Sequence, residues 1–558
     1  MKNIFLLTIL LSACISNCYS QNWLWAKSSG GQGYQYSRAI TTDNANNIYI
    51  AGEFYLSTIT FDTFTFVNSD TSAFTGDIFI AKYDSNGNVL WAKSAGGIES
   101  DVCRSVSADA NGNVFITGYF RSSSIIFGSY TLYNVNNFAN TFIVKYDANG
   151  NVLWAKSADG GTGNSVSADP LGNVFLTGSF GYPQISFGAI TLFNADASWY
   201  SSDFFIAKYD ANGNVLWAKS AGMSGKYRDD IGTSVSADAN GNVFVTGYFR
   251  SPSITFDSTT LINAGGVSMS GLFDLFIVKY DSNGNILWAK SEGGDSDDFG
   301  SSISADPTGN VFITGKFGSS SITFGSNILT NSSSGNYNMF IAKYDANGNI
   351  LWAKGASGSG GGLRLATDLA GNVFVTGSFE DSSITFGSLT VNEPVGANYP
   401  IFIVKYSASG NELCASTLAC GGFDGALTVD ALGSAYITGM FDMNPFIVGT
   451  DTLTLTGVEN VFVAKFSCSN TNAMNELNHE ENISVFPNPS SGIFSLNLKN
   501  KTADAKICVY DLLGNCVLSN ITVKELNQKI DLGSQPSGVY FVQMIFEDET
   551  TTRKIIIK

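Results

Sequence analysis

The chain has 558 residues, with 30 lysines and arginines against 47 aspartates and glutamates, a formal charge of −17 and a single histidine, His479. One imidazole cannot furnish multi-histidine metal sites, and it can serve a Ser-His-Asp or Cys-His pair only if it faces the chemistry. The acidic balance and the absence of any basic run argue against nucleic acid, whose phosphates are bound by Lys/Arg clusters.

Met1-Lys2-Asn3 followed by the apolar run from Ile4 to Ala13 reads as a secretory signal peptide over residues 1–20, with Gln21 as the mature start. The run is shorter than the roughly 20 apolar residues a membrane-spanning helix needs. A second reading is that Leu11-Ser12-Ala13-Cys14 resembles a bacterial lipobox, with Cys14 lipidated.

Charged residues make up only 14% of the chain, and glycine and aromatic residues abound, which fits a turn-rich all-β protein. Trp-Ala-Lys recurs with its tryptophan at Trp25, Trp91, Trp154, Trp217, Trp288 and Trp352, and Cys414 holds the same slot; the steps are 66, 63, 63, 71, 64 and 62 residues. Periods of this size mean an array or a propeller. One period carries four strand signals: Ser234 to Asp238, Asn242 to Phe249, Phe276 to Asp281 and Asn285 to Ser291. Asn-Gly turns join the first to the second and the third to the fourth, as type I′ hairpins require. The first strand is small and polar, suited to an axis where sheets converge. The second is bulky at successive positions and so buried on both faces, and the fourth is a half-wet outer strand. Such sheets packed radially make a β-propeller.

Gly52, Gly118, Gly178, Gly247, Gly315, Gly377 and Gly439 end the second strands, which gives seven blades. The seventh lacks a fourth strand, whereas Asn22 to Lys27 is a fourth strand with no first three before it. The expected fold is an all-β, seven-bladed propeller over residues 21–468, closed by its N-terminal strand. Gly-Asn-Val-Phe-Val-Thr-Gly with Phe-Ile-Val-Lys-Tyr-Asp-x-Asn-Gly and a following Leu-Trp resembles the SBBP repeat of bacterial exported proteins across residues 22 to 468. That resemblance implies the propeller and no settled activity.

Residues 469–483, a polar stretch with His479, read as a linker. Beyond it come Val485-Phe486-Pro487-Asn488-Pro489-Ser490-Ser491-Gly492, Val509-Tyr510-Asp511-Leu512-Leu513-Gly514, Ser537-Gly538-Val539-Tyr540 and Lys554 to Lys558. Short β runs between turn residues indicate a small β-sandwich over residues 484–558. These motifs, with Pro487, Asn488, Pro489, Gly492, Gly514 and Gly538 as their markers, resemble the type A C-terminal sorting domain of the type IX secretion system in Bacteroidetes. The resemblance implies passage across the outer membrane, removal of the domain, and attachment to surface lipopolysaccharide or release. It makes the secretion machinery a partner and weakens the lipobox reading.

Outside the signal the cysteines are Cys103, Cys414, Cys420, Cys468, Cys508 and Cys516, with no C-x-x-C pair to suggest a zinc or thioredoxin-type site. Cys508 and Cys516 either face each other as a disulfide across a hairpin or are two buried thiols.

Both Asn-Gly turn sets fall at one end of the blades. The other end carries the connections from strand two to three and from strand four to the next strand one, long and variable, where a ligand is expected. Trp199 and Tyr200, and Tyr227 beside Lys226 and Arg228, are candidate sugar-stacking residues. Asp101, Asp230 with Asp229, and Asp298 with Asp297 and Asp295 end the connections between blades in one shared slot, where they could hold a cation or a polar saccharide. The competing and weightier reading is an Asp that caps a turn, since the slot is Gln35, Gly161, Gly360 and Gly422 elsewhere. The recurrent Asp-Ala-Asn-Gly-Asn lacks the spaced ligands and final Glu of an EF-hand and reads as a hairpin turn.

The leading expectation is a non-enzymatic, monomeric surface or secreted module that binds glycans or proteins, without a transmembrane segment. No cofactor is expected, a structural cation such as calcium being the most the acids suggest. The alternatives are a polysaccharide lyase or glycosidase working with carboxylates alone, and a structural envelope component without a discrete ligand.

Overall fold

The structure is a computed structural model that describes residues 19–470, apart from 73, 136–137, 197–199, 226, 266–270, 334–335, 395, 398 and 421–424, and residues 483–558, apart from 499–505, 512–515, 523–526 and 546–549. The signal peptide up to residue 18, His479 and most of the linker, Trp199, Lys226, Gly422 and Gly514 therefore lie outside the described residues. Contacts divide the chain into a unit of residues 21–468 and a second unit that contains 469–558.

In the large unit seven antiparallel four-stranded sheets succeed one another along the chain. In sheet 2, for example, the order is Asp101–Ala108, Val114–Phe120, Asn140–Tyr146 and Val152–Ala158. The second and third strands are buried along their whole length but for Tyr119, and the fourth alternates between exposed and buried residues. Sheet 5 is extended by a fifth and sixth strand, a hairpin from the next repeat. The first strands touch in cyclic order from sheet to sheet, and that of sheet 1 also touches that of sheet 7. The small polar residues of these strands make the cross-links: Ser105 and Ser107 hydroxyls accept from the Val166 and Ala168 amides, and Ser165 and Ser167 from Val235 and Ala237. Sheet 7 consists of Ala426–Val429, Ala435–Phe441, Asn460–Asn470 and, as its outer strand, Tyr19–Ser28 from the N-terminus.

The first strands are longer than their sequence signal. They begin at Asp101, Asp230 and Asp298, so these acids belong to strands rather than to the connections in which their sequence position suggested they lie. A bulge hides the pairing: the register slips between Cys103 and Ser105, between Gly232 and Ser234 and at the matching place in the other long first strands. The extra residue breaks the period-two pattern. The bulge also accounts for the glycine opposite it, because a Cβ on Gly118 would stand 1.9 Å from the Val102 carbonyl oxygen.

The connections from strand two to three are also more regular than expected. Each begins with a two-stranded hairpin, such as Ser124–Phe127 with Tyr130–Tyr133, whose Ile125 and Phe127 are buried. Variation is confined to the segment between the hairpin and the third strand. In sheets 1 to 4 a buried asparagine then returns the chain to its sheet, as where Asn194 Nδ2 donates to the Phe180 carbonyl at 3.0 Å.

In the C-terminal unit a three-stranded sheet (Ile483–Phe486, Ile493–Leu498, Asn527–Asp531) and a four-stranded one (Cys516–Thr522, Lys506–Asp511, Gly538–Ile545, Thr550–Ile557) share one core. Phe494, Leu496 and Ile530 of the first pack with Ile507, Val509, Val542 and Ile555 of the second. Asn488 and Ser490 fix the last strand: the Ile556 amide donates to Asn488 Oδ1 at 2.9 Å, and the Ser490 amide to the Ile556 carbonyl at 2.8 Å. Cys508 is a free, buried thiol, so the Cys508–Cys516 disulfide does not form; Cys516 is in register with Tyr510 instead, and Cys508 falls at a bulge. The disulfide present is Cys414–Cys468.

Candidate functional site

The three acids of the shared slot are structural. Asp101, Asp230 and Asp298 are fully buried. Asp101 Oδ1 accepts from the Arg121 and Ser122 amides and Oδ2 from the Ser122 hydroxyl at 2.8 Å. Asp230 does the same with Arg250 and Ser251, and Asp298 with Gly318 and Ser319. Each caps the chain leaving its second strand and has neither solvent access nor a spare direction for a ligand. Each also faces an acid of the neighbouring sheet: Asp77 beside Asp101, Asp203 beside Asp230, Asp274 beside Asp298. The Oδ1 atoms of Asp77, Asp203 and Asp274 have no hydrogen-bond partner. Burial pushes Asp101, Asp203 and Asp274 up to about 7 and Asp298 up to about 6. Among the described residues no three His, Cys, Asp or Glu side chains are grouped to hold a metal ion. No helix among them is long and apolar enough to cross a membrane.

Of the aromatic candidates, Tyr200 and Tyr227 come together. Their ring centroids are 6.1 Å apart, the Tyr227 amide donates to the Tyr200 carbonyl at 3.0 Å, and both are more than half exposed. The loop is anchored from below, with the Ser202 amide on Asp229 Oδ1 and the Arg250 amide on the Asp229 carbonyl.

A large concavity lies elsewhere, where the first strands converge, at residues that the sequence pattern did not single out. A cavity of about 690 Å³ opens at the end away from the Asn-Gly turns, lined by first and second strands of sheets 1 to 6. The bulge positions supply most of its polar wall: Arg38, Arg104, Asn164, Thr233 and Ser301; the sixth is Leu363, with Arg364 next in line. Arg38 is held by the fully buried Glu53, whose Oε1 lies 2.8 Å from both Nε and Nη2. Arg104 Nη1 donates to Asn164 Oδ1 at 2.8 Å, and Asn164 Nδ2 in turn to the Gly232 carbonyl. Burial, together with the positive charges of Arg38 and Arg104, lowers the Arg364 pKa, and the three residues line the same cavity. Aromatic rings complete the wall. Arg104 lies 5.2 Å from the Tyr119 centroid, Lys316 Nζ lies 5.3 Å from that of Phe299, and Tyr248 packs edge-on against Phe299 at 4.9 Å.

Sheets that look alike in sequence thus differ where they meet the cavity. The signal was present: the chain has only seven arginines, and three fall at nearly the same slot of the otherwise small-residue first strand.

Residues 484–558 match the family described as the secretion system C-terminal sorting domain. The chain carries that domain, which marks it for export by type IX secretion, to the cell surface or beyond. It is 27% identical over 510 residues to an uncharacterized WD repeat-containing protein of Acanthamoeba polyphaga mimivirus, covering 76% of this chain and 36% of that protein. It is 24% identical over 204 residues to the regulatory protein FlaEY of Caulobacter vibrioides, covering 36% of this chain and 20% of that one. The chain therefore spans about a third of the length of the first relative and a fifth of the second. Among solved structures, a protein of unknown function from Bacteroides caccae aligns with TM-score 0.25 and 11% identity over 58% of this chain and 90% of that one. An extracellular domain assigned to a one-component system of B. thetaiotaomicron aligns with TM-score 0.15 and 10% identity over 97% and 98%.

Proposed function

We propose that residues 21–468 form a seven-bladed β-propeller of the SBBP kind that works as a non-enzymatic interaction module, carried by type IX secretion to the cell surface or released from it. The cyclic order of contact among the first strands supports the ring, as does the pairing of the N-terminal strand with sheet 7. The likeness to a WD repeat-containing protein supports a repeat architecture of this kind. The observation that carries the binding role is the 690 Å³ cavity, with its arginine and tyrosine wall, at the end that also bears the exposed Tyr200–Tyr227 pair. That size suits a small-ligand or oligosaccharide site, which spans about 300–1,000 Å³. The carboxylate-based lyase or glycosidase finds little support: Asp101, Asp230 and Asp298 are buried and hydrogen-bonded.

The test is a glycan array and a pull-down from the cell envelope with the chain of residues 21–558. The expected result is a ligand lost on substitution within the cavity or at Tyr200 and Tyr227. A chain that binds nothing on either screen sinks the reading, and turnover of a polymer would replace it with the enzymatic one.

A further inference from the structure

Resting on the interaction-module reading, the geometry points to the cavity as a site for a sugar-borne oxyanion, the carboxylate of a uronate or the sulfate ester of a sulfated saccharide. Charge singles out two of its basic groups. Arg38 is neutralised by Glu53, and Lys316 lies in the field of Asp297 and Glu380. Arg104 and Arg364 make no ion pair among the described residues and hydrogen-bond neutral acceptors, Asn164 Oδ1 and the Leu363 carbonyl, while Arg104 shares the field of Glu53 with Arg38. Two guanidiniums are thus without an ion pair, and the single carboxylate of Glu53 leaves the cluster of three net positive, in a chain whose overall charge is −17. Desolvating a charge without a partner is unfavourable, and holding two like charges together adds to it. An anion placed between them relieves both costs.

The donors and the walls set the type of anion. A guanidinium offers a planar fork that matches carboxylate, sulfate or phosphate oxygens two at a time. A free inorganic oxyanion would leave most of the 690 Å³ unused. The remaining wall suits a sugar ring: Tyr119, Tyr248 and Phe299 offer apolar faces, and Thr233 and Ser301 add hydroxyls at the bulge positions. Six similar sheets thus line an asymmetric site, with arginines on the side of sheets 1, 2 and 6, neutral side chains on that of sheets 3 and 4, and Lys316 on sheet 5, which can orient an acidic saccharide.

The assignment is tested by titration calorimetry on the chain of residues 21–558 with an oligogalacturonate, a sulfated galactose oligomer, the neutral galactose oligomer and sodium sulfate. At least one acidic oligosaccharide should bind, more weakly as salt is added, and the neutral oligomer should not. Arg104→Gln and Arg364→Gln should each weaken binding about 10- to 100-fold, the range for hydrogen bonds to charged groups, with unchanged melting temperature. Arg104→Lys, which keeps the charge and loses the fork, should fall between and serves if the glutamine variants do not fold. Four results overturn the assignment: no acidic oligomer binds, the neutral oligomer binds equally well, sulfate alone binds as tightly as the oligomers, or folded arginine variants bind as the parent does. A neutral glycan or a protein bound in any of those cases leaves the interaction-module reading standing while the oxyanion site falls.

Discussion

Cys414 and Cys468 are joined at a place where the other junctions between sheets use a tryptophan. Trp91 Nε1 donates to the Ala148 carbonyl of the next sheet at 3.0 Å, and Trp154, Trp217, Trp288 and Trp352 do the same to Ala211, Ser282, Ala346 and Ala408. Trp25 of the N-terminal strand reaches the Ser85 carbonyl of sheet 1 at 3.3 Å. Cys414 occupies the tryptophan slot of sheet 6, and Cys468 the slot of Ala148 in sheet 7, so six junctions are latched by an indole and the seventh by a covalent bond.

That exchange makes the stability of the large unit sensitive to reduction. The bond spans 54 residues, which in chain-entropy terms corresponds to about 4 kcal/mol. Cys414→Ser or reduction should lower the melting temperature by several degrees. The double replacement Cys414→Trp with Cys468→Ala restores the pair found at the other junctions and should recover part of the loss. Thermal unfolding with and without reductant reads both outcomes; insensitivity to reductant would mean that the bond contributes nothing to stability.

The N-terminal strand, whose indole reaches sheet 1, is tied to sheet 7 and its hairpin by further hydrogen bonds. The Ala26 amide donates to Asp451 Oδ2 at 2.7 Å and the Ser29 amide to the Val461 carbonyl at 2.9 Å. Deleting residues 21–28 would strip the outer strand from Asn460–Asn470 and leave an unpaired sheet edge, a template for association. The truncated chain should melt at a markedly lower temperature and aggregate, as light scattering during a thermal ramp would reveal. An unchanged monomer would refute the closing role of this strand.

The repeat count, the four strands per sheet, the position of the Asn-Gly turns and the pairing of the N-terminal strand were legible in the sequence because they rest on residues that recur: Trp91 and its equivalents, Gly118 and its equivalents, and Asp109, whose Oδ1 accepts from the Asn111 and Asn113 amides at 2.9 Å. The turn type was not: the glycine alone takes positive φ, so these are not the expected type I′ turns. The cavity was missed, because its one sequence signal, three arginines near one slot, falls where the strand pattern breaks down. Arg38, Arg104 and Arg364 sit at or beside bulges, where the strand's alternation fails and no periodicity assigns a direction to a side chain. Asp101, Asp230 and Asp298 were misplaced for the same reason: without the bulge, the pairing of Asp101 with Phe120 is invisible. The disulfide escaped because its partners lie in different repeats.

Export offers a prediction independent of the cavity. The sorting domain at residues 484–558 has a core of its own, and Asn488 and Ser490 pin its last strand. Deleting residues 484–558 should leave the large unit in the periplasm, as fractionation and surface proteolysis would establish. Asn488→Ala, which takes the acceptor from the Ile556 amide, should reduce surface delivery in part. Full surface display of the truncated chain would contradict the assignment of the address.

Stability should depend on pH through the acid pairs between sheets. Burial raises the carboxyls of Asp101, Asp203 and Asp274 from an ordinary value of 3.8 to about 7, and Asp298 to about 6. A carboxyl raised in this way is still protonated in the folded chain where the unfolded chain has already lost its proton. The folded state therefore binds more protons between about pH 4 and 7, and the unfolding free energy falls as pH rises through that window, by about 1.4 kcal/mol per pKa unit at most. Asp84, Asp147, Asp210, Asp281 and Asp345 oppose this: slight burial raises them, but side-chain and backbone hydrogen bonds from Asn88 and its equivalents outweigh it and hold them below 3.8. Their contribution is complete above that value and is lost on acidification below it. The melting temperature should accordingly peak near pH 4–5 and fall by several degrees toward pH 8. Asp203→Asn removes one titrating group and places at its position the residue that Asn140 and Asn338 supply in sheets 2 and 5. This variant should melt higher than the parent at pH 8, with a smaller difference at pH 5. A parent whose melting temperature rises from pH 5 to pH 8 would show that these carboxyls are ionised in the folded chain and balanced by a cation.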